Sequence, residues 1–210
     1  PAIARNNGIK KAKGKYILCL DADDKLSNNY LKEVNDIFLE NKDVSIVFPN
    51  LQHFGDDETY VEFSNRDPQL VFSQNCFLVS SIFEKEVWCD CGGYSTNVAG
   101  YEDWDFWVNA VSRGYRTKHS KNSIFYYRKH GAGMYTVGQD RDLKNKANIV
   151  LNNYKVYSNL QIKWAKHIIL GEENIEFNNQ EGTIPIFDDF RWKYNKNLSK
   201  MMKGFNINQI

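Results

Sequence analysis

The chain has 210 residues, 42% of them hydrophobic and 25% charged, a globular composition with a real core and room for one domain, or one domain with an appendage. Lys and Arg number 27 against 26 Asp and Glu, so no net field implies nucleic acid or an anionic membrane as partner. No stretch approaches the ~20 apolar residues of a spanning helix, and Pro1 to Lys15 is too charged for a signal peptide, so the cytosol is the expected compartment.

Pro1 opens directly into helix-like sequence without an initiator Met or a preceding strand, as in a fragment of a longer chain. Pro suits a first helical turn. Ala2, Ile3, Ala4, Ile9 and Ala12 supply apolar faces, and Gly14 is placed to stop the helix. Gly8 inside it predicts a close contact or a bend. Tyr16 to Leu20 is continuously apolar, the pattern of a strand covered on both faces. Cys19 lies in that run and reads as a small core residue. Cys89-x-Cys91 has no second pair at zinc-site spacing, so the four cysteines are expected to be reduced structural thiols.

The strand runs straight into Asp21-Ala22-Asp23-Asp24. Three carboxylates in four residues repel one another, and ligands of open α/β sheets bind beyond the carboxyl ends of strands. Hard divalent ions take one or two carboxylates plus substrate phosphates. The segment therefore reads as a metal–phosphate site, its alternative being a solvated acidic turn. Ser27 is placed to cap a helix carrying Leu31, Val34 and Phe38, and Val44 to Phe48 reads as a strand. Helix–strand–helix–strand order predicts an α/β sheet.

Gln52 to Asp67 reads as a hairpin or surface loop, and Cys76 to Phe83 as a strand. Glu84 to Trp88 is a short helical stretch ending at Gly92-Gly93. Trp104, Trp107, Val108 and Val111 recur at helical spacing up to Gly114, which puts Glu102 and Asp103 at a helix N-terminus, where the macrodipole favours ionised carboxylates. Ile124 to Arg128 is a further strand candidate leading to His130. From about Asp140 the chain becomes rich in Asn and Lys. Ile149 to Ile169 carries one helix-like pattern (Val150, Tyr154, Tyr157, Leu160, Trp164), and Met201 to Ile210 looks poorly anchored. A helical appendage over 140–210, packed on the sheet or on a partner, is expected beside a main domain over 1–139.

Two acidic sites thus stand at two element ends: Asp21/Asp23 to hold a cation, and Glu102/Asp103 as a candidate general-base pair. Sugar transfer from a nucleotide diphosphate needs both, a cation for the departing diphosphate and a carboxylate for the acceptor proton.

Pro1-Ala2-Ile3-Ala4-Arg5-Asn6-Asn7-Gly8-Ile9, Ala12-Lys13-Gly14-Lys15-Tyr16-Ile17 and Leu20-Asp21-Ala22-Asp23-Asp24 resemble the middle of a family 2 glycosyltransferase. Gly92-Gly93-Tyr94, Tyr101 to Trp107 and Tyr127-Arg128-Lys129-His130 resemble its later signatures, in the family's order. The resemblance covers Pro1 to about Met134. It implies a GT-A type, Rossmann-like mixed sheet flanked by helices, and inverting single displacement. The donor implied is a nucleotide-diphosphate sugar, UDP-sugars foremost, and the acceptor a glycan or lipid-linked hydroxyl. By carry-over, Asp23 is the main ligand of Mn²⁺ or Mg²⁺, with Asp21 serving the metal or the ribose and His130 approaching metal or diphosphate. Asp103 is the catalytic base beside Glu102. Arg5, Asp21 and Ala22 face the nucleotide sugar, and Trp104, Gly93 and Arg128 are the acceptor-side candidates. The family's first strands and its base-recognising aspartate would precede Pro1, so the matched part lacks most of the nucleotide cradle. A polysaccharide or envelope role would fit peripheral attachment at the inner membrane face.

Rival assignments remain at this level. Arg5 could salt-bridge its own helix, Trp104 and Trp107 could be core, His130 could satisfy local hydrogen bonds, and Glu102 and Asp103 could be helix-start charges. A haloacid-dehalogenase-like phosphatase would use Asp21 as nucleophile and Asp23 as acid/base, with Asp188-Asp189 as its later acidic pair, but Lys25 stands where it wants Thr or Val. An EF-hand fails at Lys25, Leu26 and Lys32. A paired-carboxylate glycosidase would not need the Asp21–Asp23 cluster. A non-catalytic remnant binding carbohydrate or protein is the remaining class.

Overall fold

The computed structural model describes residues 1–63, 67–129, 141–171 and 176–187. Helix α1 (Ala2–Lys11) leads to strand β1 (Tyr16–Ile17), the acidic turn, β2 (Lys25–Leu26) and α2 (Tyr30–Glu40). Then come β3 (Val44–Gly55), β4 (Tyr60–Val61), a 3₁₀ turn (Pro68–Phe72), β5 (Ile82–Glu84), α3 (Lys85–Cys91), α4 (Glu102–Ser112) and β6 (Arg116–Lys129). Helices α5 (Asp142–Asn152) and α6 (Asn159–Leu170) follow. The sheet order is β1-β5-β3-β6-β2, with β4 paired to β3. Only β3 and β6 run parallel among the described pairs. The expected mixed α/β sheet flanked by helices is present.

One face of the sheet packs on α2 through Tyr30, Val34 and Phe38 against Val44, Val47 and Ile82. The other face carries the larger core, which includes Phe83, Trp104, Phe106, Trp107, Ile149 and Trp164. In α2 the buried stripe is Tyr30, Val34 and Phe38, while Leu31 is 62% exposed. Sequence spacing put Leu31 on that stripe, but Tyr30 wins because its ring is buried and its hydroxyl donates to Ser80 O at 2.7 Å. Ser27 does not cap the helix; its Oγ accepts from Ile124 N at 3.1 Å and ties β2 to β6.

Several expectations are corrected. The predicted strand Tyr16–Leu20 shrinks to two residues, because it stands at one end of the sheet order and pairs only with β5 among the described strands. Leu20 is 45% exposed. Helix α1 stops at Lys11 with an extended Ala12, short of Gly14. A Cβ on Gly8 would meet nothing within 4 Å, so no close contact requires that glycine. The strand predicted over Cys76–Phe83 is formed only at its end. The single pattern Ile149–Ile169 is two helices, because Ser158 and Gln161 form a capping box that starts α6 afresh. Tyr154, between them, is 55% exposed. Both helices contribute to the larger core, and Asn152 and Asn153 donate to Asp105 on α4 at 3.0 and 2.9 Å.

Candidate active site

Three local structures bring the acidic motifs together. Arg5 lies one turn into α1, the Asp21–Asp24 turn follows β1, and Glu102 and Asp103 open α4. Arg5 Nη2 donates to both oxygens of Asp21 at 3.0 Å, and Nη1 donates to Glu102 Oε1 at 2.7 Å. One planar guanidinium thus joins carboxylates from both motifs, a geometry that lysine could not supply. Burial works against its charge, but Asp21, Glu102 and Asp103 prevail and hold its pKa raised. Arg5 is therefore the clamp between the two sites, beyond its own helix.

Glu102 is buried, with its second oxygen accepting from Gly100 N at 2.8 Å. Asp103 is half-buried; it accepts from Trp104 N at 2.8 Å and Asn75 Nδ2 at 3.2 Å. Its pKa is pushed up to about 6, first by burial and then by the charge of Glu102, against Arg5 and the two hydrogen bonds. A carboxylate with that value is ionised at neutral pH yet is a better proton acceptor than an ordinary aspartate.

The acidic turn is buttressed from β6. Arg128 N donates to Asp24 Oδ1 at 2.9 Å, and Arg128 Nε donates to Asp23 O at 3.2 Å. Asp24 is buried with its Oδ2 lacking a hydrogen-bond partner among the described residues, and burial raises its pKa to about 6. Ala22 and Asp23 are exposed. No group of three or more His, Cys, Asp or Glu among the described residues is arranged to hold a metal. Asp21 is engaged by Arg5, and Asp23 is exposed on the same turn. One carboxylate fits a hard divalent ion that takes its other ligands from a diphosphate and water.

A cleft of about 770 Å³ joins these parts, its wall including Arg5, Asp21, Glu102, Asp103 and Trp104. Its floor is the β3–β6 pair. The register sets Leu51 beside Phe125, His53 beside Tyr127 and Gly55 beside Lys129. The two-residue repeat of a strand then turns Leu51, His53, Phe125, Tyr127 and Lys129 into the same cleft. Tyr127 sits in the field of the carboxylates: burial first, then Asp24, Asp21, Asp23 and Asp103, push its pKa up to about 12. His53 is buried, and its Nδ1 lies 2.6 Å from Asp57 Oδ2. Sequence reading singled out none of Leu51, His53 and Asn75 as site residues. The period-two pattern of β3 was the available signal for the first two.

The remaining candidates fall in different places. Trp104 borders the cleft but is 1% exposed, with its Nε1 donating to Val71 O at 2.6 Å, so it serves the core as well. Gly93 is outside the cleft wall: at φ +86° it packs on Asn6, which bonds Tyr94 N and O and Trp88 Nε1. Arg128 supports the acidic turn and stacks over Phe54 at 4.5 Å. His130, Asp188 and Asp189 lie outside the described residues.

Known structures share this architecture. The chain aligns with Staphylococcus aureus TarS at a TM-score of 0.52 and 16% identity, over 80% of this chain and 49% of that one. The Pyrobaculum calidifontis mannosyltransferase PcManGT, crystallised with GDP-Man and Mn²⁺, aligns at 0.51 and 16%, over 81% and 49%. The fold is thus of the GT-A glycosyltransferase type. Residues 1–99 match the family model of Glycosyl transferase family 2. A Haemophilus influenzae protein described as an uncharacterized glycosyltransferase is 26% identical over 199 residues, covering 79% of this chain. The chain spans 66% of that relative's length. Among the described residues no helix is long and apolar enough to cross a membrane.

Proposed function

We propose that the cleft transfers a sugar, with inversion, from a nucleotide-diphosphate donor to a hydroxyl of a glycan or lipid-linked acceptor. The observation that carries this is the Arg5 clamp, which holds the Asp21 turn and the Glu102–Asp103 helix start on one cleft. Asp103 takes the proton from the acceptor hydroxyl as its oxygen attacks the anomeric carbon. The bond from that carbon to the diphosphate oxygen breaks, and its electron pair leaves with the nucleoside diphosphate. When bound beside Asp23, Mn²⁺ or Mg²⁺ supplies neutralising charge for that leaving group. Glu102, locked by Arg5 and Gly100 N, orients the helix start and raises the basicity of its neighbour. A phosphatase would need Asp21 available as nucleophile, and Arg5 occupies both its oxygens.

The test is release of nucleoside diphosphate from a panel of UDP- and GDP-sugars by the full-length protein, with Mn²⁺ or Mg²⁺ and with chelator. Release that needs the metal and is lost in Asp23→Ala supports the assignment. Turnover of simple phosphate esters, abolished by Asp21→Asn, would replace it with the phosphatase.

A further inference from the structure

Helix α5 buries a lysine completely. Lys146 is 0% exposed, and its ammonium donates to Asp142 Oδ2 at 2.6 Å, Asn179 Oδ1 at 2.7 Å and Gln180 O at 2.9 Å. All three of its donors are used. Asp142 in turn accepts at Oδ1 from Tyr101 Oη at 2.8 Å and from Gly182 N at 3.0 Å. Burying an ion pair costs several kcal/mol per ion before its own attraction is counted, and apolar packing is often as stable. What the pair does here is geometric. It joins α5, the residue that precedes Glu102–Asp103, and the segment 179–182.

That segment borders the cleft. Asn179, Gln180, Glu181 and Gly182 share its wall with Asp103, Gln74 and Asn75. Its far end is fastened as well: Ile184 N donates to Ser73 O at 2.8 Å, Gln161 Nε2 donates to Pro185 O at 2.9 Å, and Ile184 is fully buried. Gln180 and Glu181 are themselves exposed. This stretch of the wall therefore offers amides, carbonyls and the Glu181 carboxylate.

We propose that residues 179–182 are the acceptor-facing wall, and that Asp142 and Lys146 are positioning residues that fix it relative to Asp103. This rests on the transferase assignment and narrows its acceptor. Amides and a carboxylate hydrogen-bond sugar hydroxyls, and the Glu181 carboxylate disfavours a phosphate beside it, so the acceptor end that fits is a neutral saccharide. Lys146 acts through the segment it holds, without touching substrate.

The test uses the full-length protein with its best nucleotide sugar, a panel of neutral disaccharides, and the same disaccharides carrying a terminal phosphate. The double variant Gln180→Ala/Glu181→Ala changes exposed residues only. It is expected to raise the acceptor KM about tenfold, the loss of one to two hydrogen bonds, while the donor KM moves less than about twofold. Lys146→Met is expected to raise the same KM and to speed hydrogen exchange at 179–182. If that variant fails to fold, the double variant decides. An unchanged acceptor KM in the double variant, an equal rise in both KM values, or preference for the phosphorylated acceptors overturns the proposal alone. Wild-type protein that turns over no nucleotide sugar overturns the transferase assignment and this proposal with it.

Discussion

Arg5→Ala removes the clamp between the two acidic motifs. The Glu102 side chain is 6% exposed and that of Asp21 is 44% exposed, so the two ion pairs are unequal. Unit charges about 4 Å apart attract by about 4 kcal/mol at an effective dielectric of 20, and breaking a buried pair from one side costs about 3–5 kcal/mol. The exposed Asp21 pair adds at most about 1 kcal/mol. Without Arg5, Glu102 keeps only Gly100 N as a hydrogen-bond donor among the described residues, and Oε1 is left buried without one. A loss of about 3–4 kcal/mol is expected, which lowers the urea midpoint by roughly 1.5–2 M at a slope of about 2 kcal/mol/M. Adding Glu102→Gln to Arg5→Ala removes the orphaned charge and should recover about 2 kcal/mol, a coupling read from a double-mutant cycle. A loss below about 1 kcal/mol, or additive effects of the two changes, would refute the clamp.

Asp103 should set an acidic limb on the transfer rate, which rises with pH through about 6 as the carboxylate ionises. The sign for stability is opposite to that of a salt-bridged aspartate. Its folded pKa lies above the unfolded value of about 3.9, so ionisation weakens the fold as pH rises from there through about 6. Asp103→Asn should therefore gain stability over wild type above pH about 6 and none below pH about 4, as thermal melts across pH will show. Gly93→Ala places a Cβ 2.8 Å from Asn6 Oδ1 at φ +86°; strain and the disturbed Asn6 bonds should cost about 1–3 kcal/mol in urea titration. The product of a donor with an α-linked sugar should be the β-anomer, read from its anomeric coupling by NMR, and retained configuration would exclude direct displacement.

What was legible in the sequence was chemistry written in neighbouring residues. Asp21 to Asp24 and Glu102-Asp103 announce themselves within a few positions, and α4 shows its helical period through Trp104, Trp107 and Val108. What joins them was not legible, because Arg5 and Glu102 are 97 residues apart and nothing local demands their meeting. The 14 residues of β6 (Arg116–Lys129) contain too many Lys, Arg and Ser to read as a strand through their first half. Their conformation is imposed by parallel pairing to β3, which also turns His53 and Tyr127 into the cleft. Lys146 reads as an ordinary surface lysine until Asp142 and the segment from Asn179 enclose it. The break between α5 and α6 was visible in Ser158 and Gln161, a capping pair masked by the apolar pattern running through it.

The proposed transfer depends most on Asp103 acting as its base. Its most direct test is acceptor-dependent transfer by Asp103→Asn in the full-length protein, with nucleotide-sugar affinity measured on the same sample. A loss of transfer of at least about 100-fold with donor affinity retained is expected. Transfer that persists near the wild-type rate, or that falls only in step with donor affinity, would contradict it.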